Sequence, residues 1–306
     1  MRRALSSAPG GQAKDLGEQV LDACRRGDAD PLHVRALCAS GADLALQDSG
    51  GWTAVMWAVR NGDAPTLTEL IDAGATLDAH DKFSTTALIL AARDGRTEAV
   101  QLLVDRGANL NSADEDGRTS TMQAARNGYV DALCVIIVAG AQLNVVDNDG
   151  RTAAYWAAAR DKVECLLALV EARADLDVQD KEGRTAVMFA AENGLFRVLQ
   201  ALLEGGALLN VQDARGRTAA MLAADSGHTV ALKMLIEAGA DVNSMRNREG
   251  QTAVDVAGRH VIKALIEADP TKLFPGGNRA EGNYLQCLWL LAVRAGRARL
   301  GAAACW

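Results

Sequence analysis

A 33-residue period constrains this chain more than any other feature of its sequence. Six threonines stand 33 residues apart and a seventh follows after 34, namely Thr53, Thr86, Thr119, Thr152, Thr185, Thr218 and Thr252. An Asp precedes each of the first six by five residues, a Gly precedes all but one of the seven by two, and an Ala follows each by five. A chain with this periodicity builds one small unit many times, and each unit buries its apolar face only against its neighbours.

Each recurring residue predicts a piece of local structure. Asp accepts hydrogen bonds from its own backbone and Gly adopts positive φ, so together they predict a tight turn. Thr is a favoured N-cap, and small alanines let the helix that follows pack closely. The next segment, such as EAVQLLVDRGANL at 98–110, has apolar residues at helical spacing and a Gly that ends the helix. Every repeat therefore reads as turn, helix, helix.

The period, the DxxGxT turn, the alanines and an LLxxGAxxN ending resemble the ankyrin repeat over about residues 16–268. The resemblance implies an all-α solenoid of helix-turn-helix units, joined by β-hairpin-like finger loops and curved around a concave groove. It implies about eight repeats, with atypical first and last ones as caps. We expect residues 1–15 to be a disordered tail. We expect residues 269–306 to be a second tail with one short apolar helix at 284–293.

The sequence also departs from the ankyrin pattern. Where the family usually has TPLH after the turn, this chain has TAVM, TALI, TSTM, TAAY, TAVM, TAAM and TAVD. Met and Ile at the last of these positions replace a polar bond with packing. In the fifth repeat Asp161 and Arg173 stand where other repeats have Gly, and a non-Gly residue in the left-handed conformation costs about 1 kcal/mol. We expect this joint to be the weakest.

Composition and motifs argue against several functional classes. The net charge is −7, which does not suit general nucleic-acid binding, and no apolar run reaches the roughly 18 residues of a membrane span. The six cysteines are widely spaced, as expected of reduced thiols in the cytoplasm, with the nucleus as an alternative. The four histidines are scattered, and no catalytic or nucleotide-binding motif is present. We therefore expect no enzymatic activity, no cofactor and no metal site.

The positions that vary between repeats are the candidates for recognition. The residue before each Thr lies on the finger, and residues four and seven after it share one helix face. These positions give the candidate partner-binding set: Trp52, Trp57, Arg60, Arg93, Arg118, Arg126, Arg151, Trp156, Arg184, Phe189 and Arg217. Trp and Arg dominate binding hot spots. The competing interpretation is that the arginines only aid solubility and that the aromatic residues fill gaps between repeats.

These residues predict a non-catalytic scaffold or adaptor that binds a protein partner on its fingers and groove. Arginine pairs with carboxylates in a bidentate manner, so the expected partner is an acidic, extended segment. One alternative is a regulatory or targeting module of a larger enzyme or channel, and another is a spacer without a specific ligand. Peripheral membrane contact through residues 284–300 is a further alternative.

Overall fold

A computed structural model describes residues 9–257 of the 306-residue chain. Within this range there are fifteen helices and no strand, and two isolated β-bridges join His80 to Thr86 and Ala113 to Thr119. The helices are α1 (Pro9–Arg26), α2 (Pro31–Ala39), α3 (Ala54–Asn61), α4 (Ala64–Asp72), α5 (Ala87–Arg93), α6 (Thr97–Asp105), α7 (Ser120–Asn127), α8 (Val130–Val138), α9 (Ala153–Ala159), α10 (Val163–Glu171), α11 (Ala186–Glu192), α12 (Phe196–Glu204), α13 (Ala219–Asp225), α14 (Thr229–Glu237) and α15 (Ala253–Val256).

The described residues divide into two compact units, an N-terminal unit that ends at Asn148 and a C-terminal unit that begins at Asp149. In the N-terminal unit the first helices of successive repeats (α1, α3, α5, α7) pack in sequence, and so do the second helices (α2, α4, α6, α8). In the C-terminal unit α9, α11, α13 and α15 form one such series and α10, α12 and α14 the other. The two helices of each complete repeat also pack against each other. This is the turn-helix-helix repeat that the sequence predicted.

The recurring threonines begin the first helix of every repeat after the first, from α3 to α15. Each Thr has an extended backbone, and its hydroxyl accepts a hydrogen bond from the backbone N–H three residues later, as in Thr185 with Met188 at 3.4 Å. This bond satisfies one of the donors that the first turn of a helix leaves unpaired. Thr252 adds the reciprocal bond from its own N–H to Asp255, which completes a capping box.

Alanine pairs and branched residues form the core. Ala91, Ala92, Ala124 and Ala125 are fully buried between neighbouring first helices. Paired apolar residues of the second helices, such as Leu67 with Leu70 and Leu133 with Ile136, are equally buried. The residue that replaces the family's His is buried in six repeats (Met56, Ile89, Met122, Tyr155, Met188 and Met221), so packing does substitute for the polar bond there.

The N-terminal boundary differs from our expectation of a tail over residues 1–15. Helix α1 begins at Pro9, and the Asp43 N–H donates to the Ala13 carbonyl at 2.9 Å, which ties this stretch to the loop after α2. A Cβ on Gly17 would lie 2.3 Å from the Asp43 carbonyl oxygen, so the helix packs closely on that loop. The expected tails at 1–8 and 269–306, the helix at 284–293 and the end of the repeat domain at 268 lie outside the described residues.

The predicted strain in the fifth repeat is present. Asp161 and Arg173 have φ of 54° and 59°, in the region that glycines occupy at the equivalent positions of other repeats. Ser84, which replaces the finger glycine, has φ of 59°. Each of these residues holds a conformation that disfavours a Cβ.

Candidate protein-binding site

The loop between repeats is an ordered finger, which here means the segment from the recurring Asp to the Thr. One carboxylate oxygen of the Asp accepts two backbone N–H groups, two and four residues on. In the finger of Asp114 the donors are Asp116 (3.1 Å) and Arg118 (2.8 Å). The same pair of bonds recurs at Asp48, Asp81, Asp180 and Asp213, and Asn247 makes it in the last finger. The residue before each Thr is thereby fixed in position.

Successive fingers are joined by a single backbone hydrogen bond. Within the N-terminal unit the Glu115 N–H donates to the Phe83 carbonyl at 2.9 Å, and within the C-terminal unit the Ala214 N–H donates to Glu182 at the same distance. Equivalent bonds join Lys82 to Gly50, Asn148 to Asp116, Lys181 to Asp149 and Arg248 to Arg215. The fingers of each unit therefore form a rigid, regularly spaced row.

A cavity of about 390 Å³ lies between the fingers and first helices of the N-terminal unit. It is lined by Trp52, Asp81, Phe83, Thr85, Arg93, Asp114, Glu115, Asp116, Arg118, Gln123 and Arg126. Four of the sequence-predicted site residues, Trp52, Arg93, Arg118 and Arg126, are brought together here. We call this cavity the finger cavity.

Two further predicted residues, Trp57 and Arg60, lie against Trp52 at the side of the finger cavity. The rings of Trp52 and Trp57 lie 4.6 Å apart, centroid to centroid, and the guanidinium carbon of Arg60 lies 5.9 Å from the centre of the Trp52 ring. Arg60 is exposed, whereas the two tryptophans are half-buried. The aromatic and basic character that the sequence predicted for this part of the chain is thus present on one surface.

In two repeats the side chain four positions after Thr donates a hydrogen bond to the Asp of the finger. The indole N–H of Trp57 donates to the second carboxylate oxygen of Asp48, and the amide of Gln123 donates to that of Asp114, both at 3.0 Å. Burial alone would raise the pKa of Asp48, but the N–H groups of Trp52, Gly50 and Trp57 together hold it below its usual range. Trp57 therefore has a structural function in addition to any role in binding.

The four finger arginines all take part in intramolecular ion pairs. Arg118 pairs with Asp116 (2.5 Å), Arg151 with Asp149 (2.9 Å), Arg184 with Glu192 (2.5 Å) and Arg217 with Asp213 (2.8 Å). Their side chains are only 21–28% exposed. Burial alone would lower the pKa of Arg184, yet the adjacent Glu192 carboxylate raises it. An acidic partner would have to compete with carboxylates that are already in place.

The two aromatic residues predicted for the site in the C-terminal unit, Trp156 and Phe189, lie against their neighbours rather than on an open face. Trp156 is only 7% exposed, and the guanidinium carbons of Arg151 and Arg160 lie 5.3 and 5.8 Å from its ring centre. Phe189 is half-buried, with its ring centre 5.7 Å from that of Tyr155. Burial and the charge of Asp180 raise the pKa of Tyr155 to about 12. These contacts match the gap-filling interpretation of the aromatic residues.

Sequence reasoning missed several residues of the finger cavity. Phe83 is 59% exposed and lies three residues before Thr86, where the other fingers have no aromatic residue. Gln123 is only 4% exposed, and it occupies a position that is apolar in the other repeats. Glu115 and Asp116 are exposed. The departure of a residue from its own column of repeats was the signal that could have identified Phe83 and Gln123.

Two further properties concern the described residues as a whole. No group of three or more His, Cys, Asp or Glu side chains between residues 9 and 257 is arranged to hold a metal ion. None of the helices in that range is both long and apolar enough to cross a membrane.

Thr-capped helix pairs joined by ordered fingers define a helical repeat protein of the interaction type. The family model for ankyrin repeats matches three times, at residues 56–147, 121–213 and 198–273, and the chain therefore belongs to the ankyrin repeat family. Among solved structures it is similar to the ankyrin repeat domain of Bcl-3, described as a unique member of the IkappaB protein family. The two chains share 30% identity with a TM-score of 0.66, over 71% of this chain and 99% of that one. A search of the curated proteins gives no match.

Proposed function

We propose that this protein is a non-catalytic adaptor that binds a partner protein through the finger cavity of its N-terminal unit. The observation that carries the proposal is that Trp52, Arg93, Arg118 and Arg126 line one cavity. At about 390 Å³ it is within the usual range of ligand pockets. Membership of a protein-interaction family supports a protein ligand over a small molecule.

The partner is proposed to dock as an extended segment. Fingers joined at regular spacing offer a repeated surface that suits an extended chain better than a compact one. The arginines of the first helices, Arg93 and Arg126, are the stronger candidates for contact with a partner carboxylate. The finger arginines contribute less in this proposal, because their ion pairs of 2.5–2.9 Å are tighter than the 3.3 Å pair of Arg93 with Asp94.

Affinity purification with a charge-reversal variant tests this proposal. Partners recovered by the intact chain should be lost with Arg93→Glu/Arg126→Glu, since both reversals alter the wall of the cavity. The control is Arg197→Glu/Lys233→Glu, which makes the same change of charge on exposed positions of α12 and α14. Equal recovery of the same partner by both variants would contradict the proposal.

We also propose a cytosolic or nuclear location. The support is the wide spacing of the six cysteines and the burial of Cys24, which raises the pKa of that thiol to about 12 and keeps it protonated. Subcellular fractionation with an antibody to the chain tests this location.

A further inference from the structure

Apart from Arg118, which pairs with Asp116 of its own finger, the charged side chains of the finger cavity are divided by sign between fingers and helices. Glu115 and Asp116 lie in the finger before α7, whereas Arg93 is the last residue of α5 and Arg126 lies in the last turn of α7. One wall is therefore acidic and the other basic. A ligand of a single charge would be attracted by one wall and repelled by the other.

The charges on the two walls are not equally available. Asp114 uses both carboxylate oxygens, one for two backbone N–H groups and the other for Gln123. Asp116 pairs with Arg118. Glu115 is exposed and its carboxylate has no partner within residues 9–257. On the basic wall the pairing of Arg93 with Asp94 is loose, at 3.3 Å. Of the carboxylates on the acidic wall, Glu115 is therefore the one most able to form an ion pair with a basic group of a ligand.

A buried amide on the cavity wall points to a ligand with an N–H donor. Gln123 is 4% exposed and its Nε2 is held by Asp114 at 3.0 Å, which fixes the orientation of the amide. Its Oε1 has no hydrogen-bond partner within the described residues. A buried acceptor without a donor is unfavourable, and because Oε1 is itself inaccessible, a ligand gains affinity by supplying a donor only when the Gln123 side chain shifts toward the cavity. The backbone N–H of an extended peptide is such a donor.

The net charge of the unit argues against a uniformly acidic ligand. Residues 9–148 carry a net charge of −9, so their long-range field repels a segment of carboxylates. Arg93, Arg118 and Arg126 in turn disfavour a segment of cations inside the cavity. Phe83, which is 59% exposed beside Glu115, offers a ring face to a single cation.

We propose that the finger cavity binds an extended peptide segment that presents one acidic and one basic side chain on the same face. The acidic side chain contacts Arg93 and Arg126, the basic one contacts Glu115 and Phe83, and a peptide N–H donates to Gln123. Side chains two residues apart in an extended chain share a face and stand roughly 7 Å apart, which suits two opposite walls of one cavity. This inference rests on the proposed function and specifies the chemistry of its partner.

Four defined peptides test the inference without knowledge of the natural partner. They share the frame acetyl-Ala-Leu-X-Ala-Z-Leu-Ala-amide with an attached fluorophore, and X and Z are Glu/Lys, Lys/Glu, Glu/Glu or Lys/Lys. Fluorescence polarisation with the full chain at low salt should show one mixed peptide binding about tenfold more tightly than either uniform peptide. A tightest Glu/Glu peptide, a tightest Lys/Lys peptide, or no binding at millimolar concentration would each overturn the inference.

Variants of the full chain test the assignment of the walls. Arg93→Glu/Arg126→Glu should reverse the preference, so that Lys/Lys becomes the tightest peptide. Gln123→Leu should weaken the mixed peptide several-fold, and Gln101→Leu, which removes an exposed Gln–Asp bond on α6, should not. Equivalent repeats have Leu90 and Leu222 at the position of Gln123, so the variant is expected to fold, as circular dichroism will verify.

The outcomes separate this inference from the proposed function. If Glu/Glu binds tightest while the natural partner is still lost with Arg93→Glu/Arg126→Glu, adaptor function stands and the mixed-charge chemistry is wrong. If that variant leaves recovery of the natural partner unchanged, the proposed function fails, whatever the peptides show. If the mixed peptide binds Gln123→Leu with unchanged affinity, the Gln123 amide does not contact the peptide.

Discussion

The finger aspartates use their two carboxylate oxygens for different purposes. One oxygen accepts backbone N–H groups of its own finger, as at Asp48 and Asp114, while the second takes a side-chain donor that differs between repeats. The indole of Trp57 donates to Asp48, the amide of Gln123 to Asp114 and the guanidinium of Arg217 to Asp213. A single structural requirement is therefore met by three kinds of side chain, which explains part of the variation at positions considered for recognition.

The lowered pKa of Asp48 predicts a loss of stability in acid. Because its pKa in the folded protein is below its ordinary value of about 3.9, the stability that this group contributes is fully present above that pH. That stability is lost as the pH falls through the folded value. Asp48→Asn should fold, since Asn247 accepts the same two backbone N–H groups in the last finger. Its free energy of unfolding should fall less steeply with decreasing pH than that of the intact chain. Urea denaturation from pH 6 to pH 3 measures this, and identical declines would contradict it.

At the scale of the helices, α10 is followed by a residue with a strained backbone, Arg173. Other second helices are followed by glycines with positive φ, such as Gly140 at 87°, whereas α10 is followed by Arg173 at 59°. Arg173 and Gly140 occupy equivalent positions after the second helices of their repeats. A Cβ on Gly140 would meet no atom within 4 Å, so a side chain at this position is disfavoured by its own backbone and not by neighbouring atoms. Both joints thus have a left-handed backbone, and they differ in whether the residue there carries a side chain.

Exchanging these residues gives opposite effects of similar size. Arg173→Gly should stabilise the fold by roughly 0.5–1 kcal/mol, because relief of the left-handed strain outweighs the added entropy of the unfolded chain. Gly140→Arg is the mirror control and should destabilise by a comparable amount. Chemical denaturation measures both. Destabilisation by Arg173→Gly would show that contacts of the arginine side chain outweigh the strain.

At the scale of the whole molecule, the sequence predicted the repeat fold because the repeat is encoded locally. Turn, cap and alanines recur at fixed spacing, and each depends on residues within a few positions of itself. The helix over residues 9–15 was not predicted, because the contact that holds it, between Ala13 and Asp43, is not recorded by any local pattern.

The candidate site was harder to predict, for a physical reason. The finger and helix positions could be located from the sequence, but the partners of each side chain depend on which neighbour is nearer in space. Arg184 pairs with Glu192 on the helix, although Arg118 and Arg151 pair with finger carboxylates two residues before them. Trp156 was expected to be open to a partner, yet neighbouring groups bury it. Such choices are decided by packing between repeats.

The bonds between successive fingers have a consequence for proteolysis. Arg215 stands on an exposed loop, which would ordinarily be an early site of trypsin cleavage. Because the Ala214 N–H is bonded to the preceding finger, cleavage after Arg215 must wait for local opening, and the loop should survive mild digestion. Ala214→Pro deletes that donor at a turn position that accepts proline, and it should hasten cleavage after Arg215. Mass spectrometry of timed digests reads the site directly, and equal cleavage rates would mean that the turn and the bond from the Arg248 N–H to the Arg215 carbonyl protect it without the Ala214 bond. If Ala214→Pro is cleaved faster than the intact chain, the fingers resist proteolysis as regular secondary structure does, although they connect helices as loops do.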